Sequence, residues 1–135
     1  MLITVLIIVG VILSNMLIEL TAVTVCVRFL VVSTRAHRLG DHTWRDSLSL
    51  GTVLTILIVA HMVQIGVWAV VFLLCREFDD FETAFYHSAV NFASLGYGDI
   101  VMSDEWRLLG AIEAAVGVMM FGVSAALLVA MINKH

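Results

Sequence analysis

The sequence predicts an all-α membrane protein in which three transmembrane helices accompany one short re-entrant helix. Three observations carry that expectation. Of 135 residues, 61% are hydrophobic and 13% charged, and a soluble fold of this size exposes too much surface to hide that share. Three apolar stretches run past the roughly 18 residues that mark a membrane span. Between the second and third lies a half-apolar run, Phe81 to Leu95, too short to cross a bilayer.

The first span, residues 1–33, is apolar except for Glu19, Arg28 and a few small polar residues. It lacks the basic leader, short apolar core and cleavage site of a signal peptide, and reads as a retained helix. From Leu2 to Val32 such a helix is roughly 45 Å long, so it tilts or emerges into the interface. Residues 34–49 form a polar linker holding Arg35, Arg38, Arg45, Asp41 and Asp46. The second span, 50–76, is apolar over Leu50–Cys75 apart from His61, Gln64 and small hydroxyls. Residues 77–106 make an acidic loop that contains the re-entrant run. The third span, 107–133, is apolar from Leu108 to Ile132 apart from Glu113.

Short loops rich in Lys and Arg stay cytoplasmic. That rule puts the 34–49 linker and Lys134 inside, with the acidic loop and the N-terminus outside, in a multi-pass protein of the cell membrane. A net charge of −4 without a dense basic cluster points away from nucleic acid. Cys26 and Cys75 lie in different apolar segments and read as single buried thiols. With no proline in the chain, any helix bend must come from glycine or packing.

Asp79 followed three residues later by Glu82 resembles a helix-start capping box, with the acid standing in for Ser or Thr. A helix from about Asp80 to Phe92 would be roughly 20 Å long, enough to enter a bilayer part-way. Non-helical backbone at that depth survives only inside protein or against water. Just beyond this helix stands Ser94-Leu95-Gly96-Tyr97-Gly98-Asp99. Two glycines alternating with larger residues allow successive carbonyls on one side, through angles open to glycine and costly for other residues. Repeated by symmetry, such carbonyls can replace an ion's hydration shell. An ordinary glycine turn between two spans is the plainer reading of a lone Gly-x-Gly.

The whole stretch FYHSAVNFASLGYGDIV closely resembles the pore region of small prokaryotic-type potassium channels, the two-helix family whose filter reads T-V-G-Y-G-D. The likeness runs from about Leu50 to Ile132. It implies an outer pore helix at 50–76, then an extracellular turret, pore helix and selectivity filter at 77–106. It further implies an inner, pore-lining helix at 107–133, with four copies around a central pore. The extra helix at 1–33 would sit at the periphery, in lipid. By the same resemblance Ser94, Leu95, Gly96 and Tyr97 coordinate K⁺, the Ser94 hydroxyl is the innermost ligand, and Gly98 closes the filter mouth. Asp99 would tie the outer filter to the pore helix. Leu95 departs from the usual valine and Ser94 from the usual threonine.

The positions behind such a filter are Tyr86, His87 and Val90. Tyr86 is then a partner for Asp99 and His87 for the Tyr97 hydroxyl, or both rings simply pack against the outer helix. In the first case external acidification between about pH 7.5 and 5.5 would alter current through His87. Glu19 and His61 both lie roughly 15 Å from the inner surface, where an interhelical contact competes with separate local hydrogen bonds. Glu113 lies level with the pore helix and is expected to bond it rather than line the ion path. Gly117 sits where related channels carry a gating hinge, although small residues also serve close packing.

No helix carries the arginine ladder of a voltage sensor, and no regulatory domain is expected after the inner helix. No nucleophile–base or metal-ligand constellation suggests an enzyme, and no cofactor is implied beyond K⁺ as the transported ion. The reading is a passive, homotetrameric potassium channel. Its rivals are a weakly selective cation channel of the same fold and a non-conducting membrane assembly subunit.

Overall fold

The structure, a computed structural model, describes residues 2–36 and 42–133, with side chains from 4–33 and 47–133. The described residues form four helices and no strand: α1 Leu2–Ala36, α2 His42–Leu74, α3 Phe81–Phe92 and α4 Arg107–Ile132. Three are long and apolar enough to cross a membrane, over Thr4–Ser33, Ser47–Leu74 and Arg107–Ile132. Helix α3, with 12 residues, is the short helix expected between the second and third spans. The side chains on which the orientation rests, Arg35, Arg38, Arg45 and Lys134, lie outside the described residues.

Helix α2 begins at His42, within the stretch read as linker, and α1 continues to Ala36. Hydropathy marks where lipid ends, whereas backbone hydrogen bonding continues into water, so both helices outrun their apolar runs. The start of α3 also differs from expectation. Asp80, not Asp79, is the N-cap: its backbone is extended, and its carboxylate accepts from the Thr83 amide and hydroxyl at 2.8 Å each. Thr83 fills the third helical position, and its amide and hydroxyl both donate to the Asp80 carboxylate in place of the reciprocal pair of a capping box.

Helix α2 ends on a reversal usually reserved for glycine. Arg76 has φ +58°, while the Arg76 amide donates to Leu73 O at 2.9 Å and the Glu77 amide to Phe72 O at 3.0 Å. This pair of bonds is the Schellman closure. It turns the chain back so that α3 lies against α2.

One apolar cluster joins all four helices: Ile8 and Val11 from α1, Trp68 and Phe72 from α2, Phe92 from α3, and Leu109 and Met120 from α4. A smaller one at the other end joins Cys26 to Val53 and Leu57. Cys26 is therefore packing, as expected, and both cysteines are free. The tightest joint in the bundle lies between α3 and α4. A Cβ on Gly117 would fall 2.0 Å from the Phe92 carbonyl oxygen and 2.8 Å from its carbon. That contact is with backbone, which cannot rotate aside. Gly117 is required by close approach, whether or not α4 also bends there.

Gly117→Ala is expected to lower stability by about 1–3 kcal/mol, the usual cost of overpacking. Gly51→Ala, where a Cβ meets nothing within 4 Å, should be neutral or slightly stabilising, because alanine is the better helix former. Thermal unfolding of both variants in detergent reads the difference. Equal midpoints would show that α3 and α4 do not meet at Gly117.

Candidate functional site

The loop 93–99 starts from the way α3 ends. Ser94 has φ +57°. Its amide donates to Asn91 O at 2.8 Å, and the Leu95 amide donates to Val90 O at 2.9 Å. This is a second Schellman closure, with serine where glycine is usual. The reversal caps α3 and opens the loop in one step. Val90, buried on α3, thereby holds the start of the loop through its carbonyl.

Left-handed backbone then recurs at every second residue, with φ +57° at Ser94, +56° at Gly96 and +74° at Gly98. Nothing lies within 4 Å of a Cβ placed on either glycine. The backbone angle, not lack of space, therefore calls for glycine here. Residues 93–99 are all exposed, including Leu95 at 54% and Tyr97 at 65%.

Two carboxylates brace the loop from outside. The Tyr86 hydroxyl donates to Asp99 Oδ2 at 2.7 Å, joining two residues that the sequence pairs. That bond, the largest influence on both groups, holds the Asp99 carboxyl below its usual range and pushes the Tyr86 hydroxyl above its own. Glu77 accepts from the Ser103 amide at 2.8 Å and from its hydroxyl at 2.5 Å. The segments before α3 and after the loop are thus tied directly.

His87 is buried. Its Nε2 lies 2.8 Å from Asn91 Nδ2, and its ring packs against Phe72 and Phe78 with centroids at 5.5 and 4.9 Å. The ring also bonds the Ile100 backbone. An amide nitrogen can only donate, so Nε2 is the bare nitrogen and the proton sits on Nδ1. Burial holds the imidazole below its ordinary pKa, against the pull of the Ile100 bond and of Glu77 and Asp99.

Glu113 is fully buried on α4 and meets α3, as expected. Ser88 Oγ lies 2.5 Å from Glu113 Oε1 and donates to Ile65 O at 2.9 Å. One hydroxyl proton cannot serve both acceptors. Both contacts hold together when the Glu113 carboxyl carries a proton and donates to Ser88. This joint links α2, α3 and α4 beside the loop.

Glu19 and His61 also come together, their closest atoms 3.6 Å apart. Tighter partners surround them. Glu19 Oε2 accepts from Gln64 Nε2 at 3.0 Å and Oε1 from Ser124 Oγ at 2.8 Å. His61 Nε2 lies 3.3 Å from the same Ser124 oxygen. Sequence reasoning misses Ser124, Asn91 and Ser103. Each is a small polar residue whose spacing along the chain announces no partner.

Charging His87 would make both ring nitrogens donors and set Nε2–H against the Asn91 amide. Since its folded pKa is depressed, the folded form is fully supported above the unperturbed value near 6.5 and loses support as pH falls below it. A loss of stability through His87 should therefore set in only as pH falls below about 6.5. His87→Gln, which can accept from Asn91 and donate to Ile100, should flatten it. Thermal unfolding of both proteins as a function of pH decides this, and identical profiles would remove His87 from the account.

The model of an ion-channel family matches residues 56–134, which takes in most of α2, all of α3, the loop 93–99 and α4. No curated protein and no solved structure matches the chain significantly. The family match covers more than half of the chain and coincides with the unit of helix, short helix, loop and helix. The chain therefore belongs to this ion-channel family, with two transmembrane helices around a short helix and a third one added in front.

Proposed function

We propose that the chain forms one quarter of a homotetramer that passes K⁺ selectively down its gradient through four copies of the segment 94–98. The observation that carries this reading is the alternation of left-handed backbone at Ser94, Gly96 and Gly98 directly after α3. Such alternation lets successive carbonyls face one side, and a four-fold ring of them can stand in for the hydration shell of an ion. In this reading the carbonyls of Ser94, Leu95, Gly96 and Tyr97 bind K⁺, with the Ser94 hydroxyl as the innermost ligand. The carboxyl end of α3 leads into the segment, and its partial negative charge favours a cation. Full exposure of residues 93–99 in one chain leaves that surface to be covered by the other three. Helix α4 lines the cavity and α1 lies at the lipid, with the N-terminus outside and the C-terminus in the cytoplasm of a cell whose plasma membrane it spans.

Protein reconstituted in liposomes, with K⁺ on one side and Na⁺ on the other, should give a reversal potential near that of K⁺. A reversal near zero would replace this with the weakly selective channel that Ser94 and Leu95 suggest. Absence of any current would leave a non-conducting assembly subunit.

Gly96→Ala should abolish selective conduction. A Cβ in left-handed backbone costs roughly 1–2 kcal/mol, and the cost recurs in each of four chains. Unchanged selectivity in this variant would mean that the filter lies elsewhere.

A further inference from the structure

Helix α1 lies outside the two-helix unit of the family, yet it carries a carboxylate into the bundle interior. Glu19 is only 3% exposed, and no arginine or lysine pairs with it among the described residues. Its two oxygens are used on different helices: Oε2 accepts from Gln64 of α2 and Oε1 from Ser124 of α4. Ser124 spends its single proton on Glu19, so its oxygen is left to accept from His61 Nε2, 3.3 Å away. The order of donors is then His61 to Ser124 to Glu19, running from α2 through α4 to α1.

The position of Ser124 matters as much as its bonds. It lies two turns, roughly 10 Å, beyond Gly117 on α4. Upstream, α4 is fixed where Gly117 meets the Phe92 carbonyl. The His61 ring packs edge-on against Phe121, with centroids 4.7 Å apart, and Phe121 in turn meets Phe92 at 5.6 Å. Helix α4 is therefore held at two heights, one by the end of α3 and one by α1. Beyond Ser124, the remaining two turns of α4 add apolar contacts, with Leu127, Leu128 and Met131 packed against the cluster of Cys26, Val53 and Leu57.

We propose that Glu19 is a positioning residue for conduction: through Ser124 it holds the far half of α4, so that α1 sets the balance between open and closed pores. This rests on the reading of α4 as the pore-lining helix. A purely structural role would change how much protein assembles. A positioning role changes how often an assembled channel opens, with the filter untouched.

Single-channel recording of reconstituted full-length protein separates the two. Ser124→Ala removes the bond from the α4 side, and Glu19→Leu from the α1 side. Each should shift the open–closed ratio by about tenfold, the scale of one lost hydrogen bond to a buried carboxyl, while unitary conductance and K⁺/Na⁺ reversal stay as in wild type. Glu19→Gln, which still offers an oxygen to Ser124, should restore most of the wild-type ratio, and Leu17→Ala on the exposed face of α1 should change nothing. If Glu19→Leu does not assemble, Ser124→Ala and Glu19→Gln still decide. Wild-type current with an unchanged open–closed ratio in Ser124→Ala would overturn the positioning role alone. No current from wild-type protein would remove the conduction reading and this one with it.

Discussion

The Phe92 carbonyl lies so close to Gly117 that no side chain fits between α3 and α4 at that point. Much of the site depends on this approach. It fixes where the last turn of α3 stops relative to α4. From there the Schellman closure at Asn91 and Val90 releases Ser94 in left-handed backbone, and the alternation through Gly96 and Gly98 continues from it. A shift of α3 along its axis would carry the loop with it, because the loop is tied to α3 at the Asn91 and Val90 carbonyls and at Tyr86. The two glycines of the loop and the glycine of α4 therefore answer different demands. Gly96 and Gly98 are needed for their φ angles, and Gly117 for its missing Cβ.

Polar groups at membrane depth need partners, since lipid offers none. Around α3 they form a connected set. Ser88 bridges Ile65 of α2 and Glu113 of α4, and Asn91 holds His87. A Cβ on Gly110 of α4 would come within 3.0 Å of Asn91 Nδ2. The back of the short helix is thus read by both long helices through hydrogen bonds of defined length. Apolar packing alone, as at Trp68 and Phe72, would tolerate sliding that these bonds do not.

Much of this is legible in the sequence because lipid imposes blunt rules. Apolar length marks three spans, and a run too short to cross marks α3. The glycine spacing marks the loop, and the resemblance to a known pore region offers Tyr86 as one partner for Asp99, the pair that the structure joins. The errors lie where water resumes control. Hydropathy does not find the true start of α2 at His42, since helical hydrogen bonds need no apolar side chain. The cap of α3 moves by one residue because Asp79 and Asp80 are chemically alike, and the choice turns on whether Thr83 or Glu82 stands three residues on. Of the two readings that the sequence leaves open for His87, packing against the second helix matches its contact with Phe72 of α2, while the Asn91 amide holds the ring from α3. Ser124 is not foreseeable at all: its partner is 105 residues away.

The choice of a carboxyl group at position 19 is itself informative. Burying it is costly, and an apolar side chain of similar size would pack at α1 without that penalty. Apolar contacts between helices, however, permit rotation and slippage, because neighbouring Leu and Val knobs are nearly equivalent. A hydrogen bond to one serine is not. Turning α4 by one residue would replace Ser124 with Val123 or Ala125 and strand Glu19 Oε1 in lipid-like surroundings. The same turn would separate His61 from Ser124 and move Phe121 off the His61 ring. The polar cluster thus admits one rotation of α4 and penalises its neighbours. That selectivity among helix registers is what α1 adds to the unit of α2, α3 and α4.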